Sequence, residues 1–161
     1  MKIKHLFVAL LITISSALTA SASEFQDAVF ELNRGNFKEG IRILTPLVED
    51  NYSPAQYQMG LVHLNGWGVI KSKQKAFELF SLSATQNYPD ALFDLSQMYT
   101  EGEVIEKDLK AAYELMHKAA KKGLAGAQFN LAVMYYNGTG TDQDDLKASR
   151  WYQRSRSKLR I

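Results

Sequence analysis

The chain has 161 residues, of which 19 are basic and 17 acidic, and it contains no cysteine. This length predicts one domain, and a chain without cysteine can form neither disulfides nor thiolate metal sites. Lys2 and Lys4 belong to the N-terminal segment described next, and without them the bases equal the acids in number. The charge balance therefore gives no indication of a nucleic-acid partner.

The N-terminal segment, residues 1–22, has the three parts of a secretory signal peptide. Lys2 and Lys4 are basic, residues 6–14 are apolar, and the segment ends in a small-x-small cleavage site, Ala-Ser-Ala. The apolar run is too short to span a bilayer as a helix, although an uncleaved membrane anchor is the alternative. We expect cleavage after Ala22 and a mature protein that is periplasmic or secreted, with no integral membrane span.

Residues 23–52 predict a helical hairpin. Apolar residues at helical spacing form two runs, one on each side of a turn at Gly35. Pro46 falls inside the second run, where it should kink or locally disturb the helix because proline lacks a backbone N–H. The turn is shorter than those in the rest of the chain, so this hairpin is a degenerate version of the repeat that follows.

The rest of the chain repeats with a period of 36 residues. Similar residue types recur in columns without gaps: Ala55, Ala91 and Ala127; Met59, Leu95 and Leu131; Gly66, Gly102 and Gly138; Ala76, Ala112 and Ala148. The units span residues 53–88, 89–124 and 125–161, and the last includes a C-terminal cap. A fixed period of this length predicts stacked helical units instead of a closed globular core.

Each unit predicts two helices joined by a loop that contains glycine. In the first unit Pro54 suits the first helical turn, where a missing N–H costs nothing. Gly66 suits the left-handed conformation that ends a helix. The second helix is expected to start after a residue that accepts hydrogen bonds from free backbone N–H groups. Three such residues share one column: Ser72, Asp108 and Asp144.

The last unit changes at its end. Arg156 stands in the column of Ala84 and Ala120, so a long cation replaces the small residue that would contact a following helix. Because repeat arrays need a polar face where stacking stops, we expect the array to end here. Residues 146–161 contain no acid, and their bases are Lys147, Arg150, Arg154, Arg156, Lys158 and Arg160. They suit an acidic partner, an anionic membrane surface, or a solvated last helix.

These columns resemble the Sel1-like repeat, a variant of the tetratricopeptide class with a longer loop inside each unit. The resemblance is carried by Ala-Gln-Tyr-x-Met-Gly-x-x-His-x-x-Gly-x-Gly-Val at 55–69, Lys-Ala-Phe-Glu-Leu-Phe at 75–80 and Asp-Leu-Lys-Ala-Ser-Arg-Trp-Tyr at 145–152. Asn87 and Val104 depart from the pattern, each at a glycine position. The resemblance implies an all-α fold, a right-handed superhelix (solenoid) of antiparallel helix pairs. It also implies a role in protein–protein interaction.

Two sequence matches to a catalytic motif have simpler explanations. Residues 72–75 and 155–158 both read Ser-x-x-Lys, the nucleophile motif of penicillin-recognising enzymes. Neither is accompanied by Ser-Asp-Asn or Lys-Thr-Gly, and Ser72 is already a predicted helix cap. The paired cysteines of family relatives linked to penicillin-like compounds are also missing. We therefore expect no catalytic residue and no enzymatic activity.

The candidate metal ligands lack the spacing of a known site. His63 stands in a column otherwise filled by Tyr99 and Tyr135, which indicates packing, and His117 is expected on the outer face of a helix. The acidic loop at 142–145 lacks the central glycine and distant glutamate of an EF-hand loop. Neither a metal nor a cofactor is expected.

A binding groove remains as the functional expectation. In tetratricopeptide-like arrays the first helix of each pair lines the concave side, and aromatic and aliphatic groups there suit recognition of a peptide or helix. Transferred to this chain, that geometry selects Tyr57, Leu61, Leu64, Asn65, Phe93, Gln97, Thr100, Glu101, Phe129, Val133, Tyr136 and Asn137. The alternative for the aromatic column Tyr57, Phe93 and Phe129 is packing in the core.

The sequence therefore predicts an exported adaptor or scaffold that binds a protein or peptide partner through its concave face, in a bacterial envelope process. Trp151, Leu159 and Ile161 either cover the final face or offer an edge for a homodimer. Two alternatives belong to other classes of protein. One is a penicillin-binding or cell-wall-active enzyme, and the other is a host-directed secreted factor.

Overall fold

The computed structural model describes residues 21–157, and this part of the chain forms eight α-helices. Helix α1 covers residues 21–33. The others are α2 (Phe37–Glu49), α3 (Ser53–Asn65), α4 (Lys73–Thr85), α5 (Pro89–Glu101), α6 (Leu109–Lys121), α7 (Ala125–Asn137) and α8 (Asp145–Ser157). Residues 1–20 of the predicted signal peptide, and the predicted edge residues Leu159 and Ile161, lie outside the described residues.

Consecutive helices pack as antiparallel pairs, as the sequence predicts. Helix α3 packs on α4, α5 on α6 and α7 on α8, and each pair contacts the next through α4 with α5 and α6 with α7. The core is accordingly divided along the array, with separate buried clusters around Leu44, Phe80 and Leu131. This succession of small cores is the expected consequence of a repeat that contacts only its neighbours. None of the helices in residues 21–157 is long and apolar enough to cross a membrane.

Three predicted caps begin the second helices of the repeats. The Ser72 hydroxyl accepts a hydrogen bond from the Lys75 N–H at 3.2 Å. Asp108 accepts from the Ala111 N–H at 2.9 Å, and Asp144 from the Lys147 N–H at 2.8 Å. The N-cap predictions are therefore confirmed in all three units, because the same free N–H groups recur at each helix start.

The first helices of the repeats end at glycine. Gly66, Gly102 and Gly138 adopt φ values of 76°, 72° and 69°, the left-handed region that ends α3, α5 and α7. Residues 66–72 then form the loop to the second helix, whereas residues 34–36 suffice in the first hairpin. The shorter predicted turn of the degenerate hairpin is thus confirmed.

Small residues on the first helices allow close approach to the second helices. A β-carbon on Gly60 would lie 2.4 Å from the Phe80 ring, so this ring packs directly on the α3 backbone. In the equivalent position of the next unit, the Ser96 hydroxyl donates to the Ala112 carbonyl at 2.6 Å. Glycine in the first repeat and serine in the second therefore allow the close approach of the two helices of the pair.

Helix α2 continues through Pro46, from Phe37 to Glu49. Pro46 has no backbone N–H to donate to the carbonyl of Arg42, and both residues are exposed. Water can bond that carbonyl, so the helix is not interrupted at the proline.

Candidate functional site

Three clefts run along one side of the array and share lining residues. The first lies between α3, α4 and α5 and has a volume of about 190 Å³. The second, between α5 and α7, has a volume of about 320 Å³, and the third, between α7 and α8, about 520 Å³. Gln97 and Glu101 line both the first and the second, and Val133 lines both the second and the third. We call this continuous surface the groove.

More than half of the predicted binding residues line the groove. They are Leu64, Gln97, Thr100, Glu101, Phe129, Val133 and Tyr136. Leu64, Thr100 and Tyr136 occupy the same position of the successive first helices α3, α5 and α7. Gln97 and Val133 share a second position on α5 and α7. The structure therefore brings these seven side chains together on one surface, and their role in binding stays a prediction.

Tyr57, Leu61 and Phe93 pack mainly against the core. The Tyr57 ring centroid lies 5.3 Å from that of Phe80, and Leu61 contacts the same small cluster. Phe93 contacts the cluster around Leu131. Tyr57 and Phe93 thus pack as the alternative for their column describes, whereas Phe129 of the same column lines the groove. Leu61 packs in the same way, although the sequence predicts binding and not packing for it.

Asn65 and Asn137 lie at the ends of their helices, outside the three clefts. Both are exposed. The Asn65 amide donates to the Leu61 carbonyl one turn earlier in α3, at 2.9 Å. Neither asparagine therefore contributes to the groove.

The first cleft has an acidic wall that the repeat columns do not predict. Asp94, Glu101 and Glu103 line it together with a single base, Lys73. Lys73 forms an ion pair with Glu103. Asp94 and Glu101 lie one and three helical turns after Asp90 on α5, so the three acids share one face of the helix. This spacing is the sequence signal that could have predicted the acidic wall.

Asp94 is held in an unfavourable setting for a negative charge. The Tyr57 hydroxyl donates to its carboxylate at 3.0 Å. Burial raises the pKa of Asp94, and the nearby Asp90 raises it further, while the Tyr57 hydrogen bond acts in the opposite direction. The pKa of Tyr57 is also raised, first by burial and then by the Asp94 charge. The Tyr57 hydrogen bond therefore offsets only part of the cost of ionising the partly buried Asp94.

The opposite end of the groove is apolar. Phe129, Val133, Tyr136 and Tyr152 line the third cleft and expose 47%, 41%, 64% and 44% of their surface. One repeat earlier, Met116 occupies the column of Tyr152 and is only 3% exposed, because α7 covers it. The sequence signal for Tyr152 is its column, in which a tyrosine with a polar hydroxyl follows Phe80 and Met116.

Ser72 of the first Ser-x-x-Lys motif and His117 both have structural roles. Ser72 caps α4, as described above. His117 lies between Tyr113 and Trp151, with ring centroids 5.8 and 6.0 Å away, and burial lowers its pKa. Burial also lowers the pKa of His63. Among residues 21–157, no three histidine or carboxylate side chains come together as a metal site.

Comparison with known proteins identifies the repeat. The Sel1 repeat model matches residues 53–88, 89–124 and 125–158. No match was found among curated proteins.

Solved structures have the same fold. A Sel1 repeat protein from Oxalobacter formigenes is 23% identical with a TM-score of 0.78, over 82% of this chain and 54% of that one. The protein c5321, a protective antigen present in uropathogenic Escherichia coli strains displaying an SLR fold, is 22% identical with a TM-score of 0.79, over 92% and 33%. Helicobacter pylori cysteine rich protein B is 21% identical with a TM-score of 0.60, over 78% and 90%.

The chain thus spans about half of the first of these proteins and a third of the second. At this level of identity the likeness establishes the tetratricopeptide-like fold, and the family is established by the three matched repeats. Such helical repeat proteins are generally protein-interaction scaffolds. The chain belongs to the Sel1 repeat family.

Proposed function

We propose that this protein is an exported scaffold that binds a segment of a partner protein in the groove, in a process of the bacterial envelope. The continuity of the three clefts is the observation that carries the proposal. A surface that passes from α3 to α8 through shared residues fits one extended or helical segment better than a small molecule.

The side chains of the groove support a protein partner. Tyrosine and phenylalanine are enriched among residues that dominate binding energy, since they bury a large area with little loss of conformational entropy. Tyr136 and Phe129 are exposed at the apolar end, and Gln97 and Thr100 lie between that end and the acidic cleft. The groove thus offers apolar anchors together with polar groups that set the register.

Site-specific photo-crosslinking in cells tests the groove assignment. A photoreactive phenylalanine analogue at Tyr136 or Thr100 should give discrete adducts of higher mass. Matched analogues at Glu78 and Glu114, which are exposed on α4 and α6 and line none of the three clefts, should not. Equal adducts at all four positions would exclude the groove as the binding surface.

Export is tested separately, and rests on the signal-peptide pattern of residues 1–22. N-terminal sequencing of the protein from a periplasmic fraction should begin at Ser23. Accumulation in the culture medium instead would favour the alternative of a host-directed secreted factor. Recovery with an intact N terminus in the cytoplasm would contradict export altogether.

A further inference from the structure

The first cleft combines an acidic wall with an apolar floor. Asp94 and Glu101 project from α5, and the floor includes Leu64, Phe80 and Met98. Lys73 is the single base among the lining residues, and Glu103 already pairs with it. Asp94 and Glu101 therefore give the cleft an excess of negative charge.

This combination matches the structure of a long basic side chain. Lysine and arginine carry an aliphatic stem and a terminal cation, and they bury the stem along apolar surface while the cation reaches a polar group. A cleft of about 190 Å³ is large enough for one such side chain and too small for a folded element. The floor would contact the stem, and the two carboxylates would contact the cation.

The surroundings of Asp94 favour the binding of a cation in the first cleft. Its carboxyl is half-buried next to Asp90, which disfavours the ionised form, and Tyr57 supplies a neutral hydrogen bond but no positive charge. An incoming ammonium or guanidinium group would supply that charge in a partly desolvated site, where ion pairs are stronger than in water.

The acidic cleft is continuous with the apolar end of the groove. Gln97 and Glu101 line both the first and the second cleft, and Val133 lines both the second and the third. One ligand that occupies the groove therefore meets an acidic cleft at one end and the exposed rings of Phe129, Tyr136 and Tyr152 at the other.

We infer that the groove binds a partner segment in which a lysine or arginine is separated from one or more large apolar side chains, with the cation between Asp94 and Glu101 and the apolar groups between α7 and α8. The inference rests on the proposed function and specifies its partner by charge and pattern. A nucleic acid does not fit the same surface, because its phosphates would approach the acidic wall.

Selection of peptides by phage display tests the inference on the purified protein. A random 12-residue library should yield peptides enriched in a base and in Phe, Leu, Trp or Tyr at a fixed spacing. The affinity of the best peptide is then measured by fluorescence anisotropy. Replacing its base by glutamine should weaken binding about tenfold.

Variants of the protein locate the contact. Asp94→Asn and Glu101→Gln should weaken binding by similar factors, and their effect should largely disappear for the peptide whose base has been replaced. Asp27→Asn and Glu114→Gln are the matched controls, because they remove the same charges at exposed positions outside the three clefts. They should leave the affinity unchanged.

The outcomes separate this inference from the proposed function. Selected peptides without a base that still lose binding with Tyr136→Ser would overturn the inference and leave the groove as the binding surface. Peptides insensitive to every groove variant, or no selected peptide at all, would count against both. Self-association in sedimentation experiments that is abolished by Asp94→Asn would assign the groove to the basic α8 of a second copy, and would also overturn the inference.

Discussion

The hydroxyl of Tyr57 donates a hydrogen bond to the carboxylate of Asp94 at 3.0 Å and connects α3 to α5 across the junction of two repeats. Tyr57 also packs on Phe80 and Tyr88, with ring centroids 5.3 and 5.4 Å away. The same contact therefore belongs to the core on one side and to the acidic wall of the groove on the other. Loss of the Asp94 charge should therefore weaken peptide binding without lowering the stability of the fold.

Asp94→Asn should leave the protein as stable as the wild type, or more stable. The amide oxygen can still accept from Tyr57, and the substitution removes a charge that burial and Asp90 disfavour. Since the carboxyl is only half-buried, the gain at neutral pH should be less than about 1 kcal/mol. Urea unfolding measures it. A clear loss of stability would mean that the charge is compensated in the folded protein.

The stability difference between wild type and Asp94→Asn should depend on pH. The folded-state pKa of Asp94 is raised above the ordinary aspartate value of 3.8, so the folded state binds this proton more tightly than the unfolded state. The resulting stabilisation is present at pH below 3.8 and is lost as the pH rises through the raised pKa. Unfolding curves between pH 3.5 and 7 should show the variant gaining on the wild type as the pH increases, then levelling off. A difference that shrinks with rising pH would contradict the raised pKa.

Tyr57→Phe should destabilise the protein, by about 1–2 kcal/mol, because it leaves a half-buried carboxylate without its hydrogen bond. Tyr136→Phe is the matched control, since it removes a hydroxyl from a ring that is 64% exposed. Thermal or urea unfolding compares the two. Similar losses in both variants would show that the Tyr57 hydroxyl contributes nothing specific.

The repeat period predicted those features that depend on local chemistry. The caps Ser72, Asp108 and Asp144 follow from free N–H groups at a helix start, which every unit possesses. The groove was predicted less completely because its first cleft includes Lys73 and Glu103, which do not belong to a first helix. The bond between Tyr57 and Asp94 joins different columns of neighbouring units, so no comparison within a column could reveal it.

Gly60→Ala should destabilise the protein by about 1–3 kcal/mol. The new β-carbon would lie 2.4 Å from the Phe80 ring, which is itself only 1% exposed and must move. Gly126→Ala is the control: it also places alanine inside a helix, but its nearest contact is with the Phe93 ring at 3.8 Å. Because Gly126 lies in the first turn of α7, this control should be neutral or stabilise the helix by less than about 1 kcal/mol. Equal effects of the two substitutions would mean that Phe80 repacks without cost.

Asp108→Ala should cost about 0.5–2 kcal/mol, because one carboxylate oxygen accepts from the N–H groups of both Lys110 and Ala111. Glu106→Ala removes the same charge from an exposed position in the same loop and should have little effect. Asp108→Ser should restore most of the loss, since the serine hydroxyl fills this role at Ser72. Amide hydrogen exchange gives the local readout. The first turn of α6 should exchange faster in Asp108→Ala than in Asp108→Ser, and unchanged exchange there would show that the helix start does not depend on its cap.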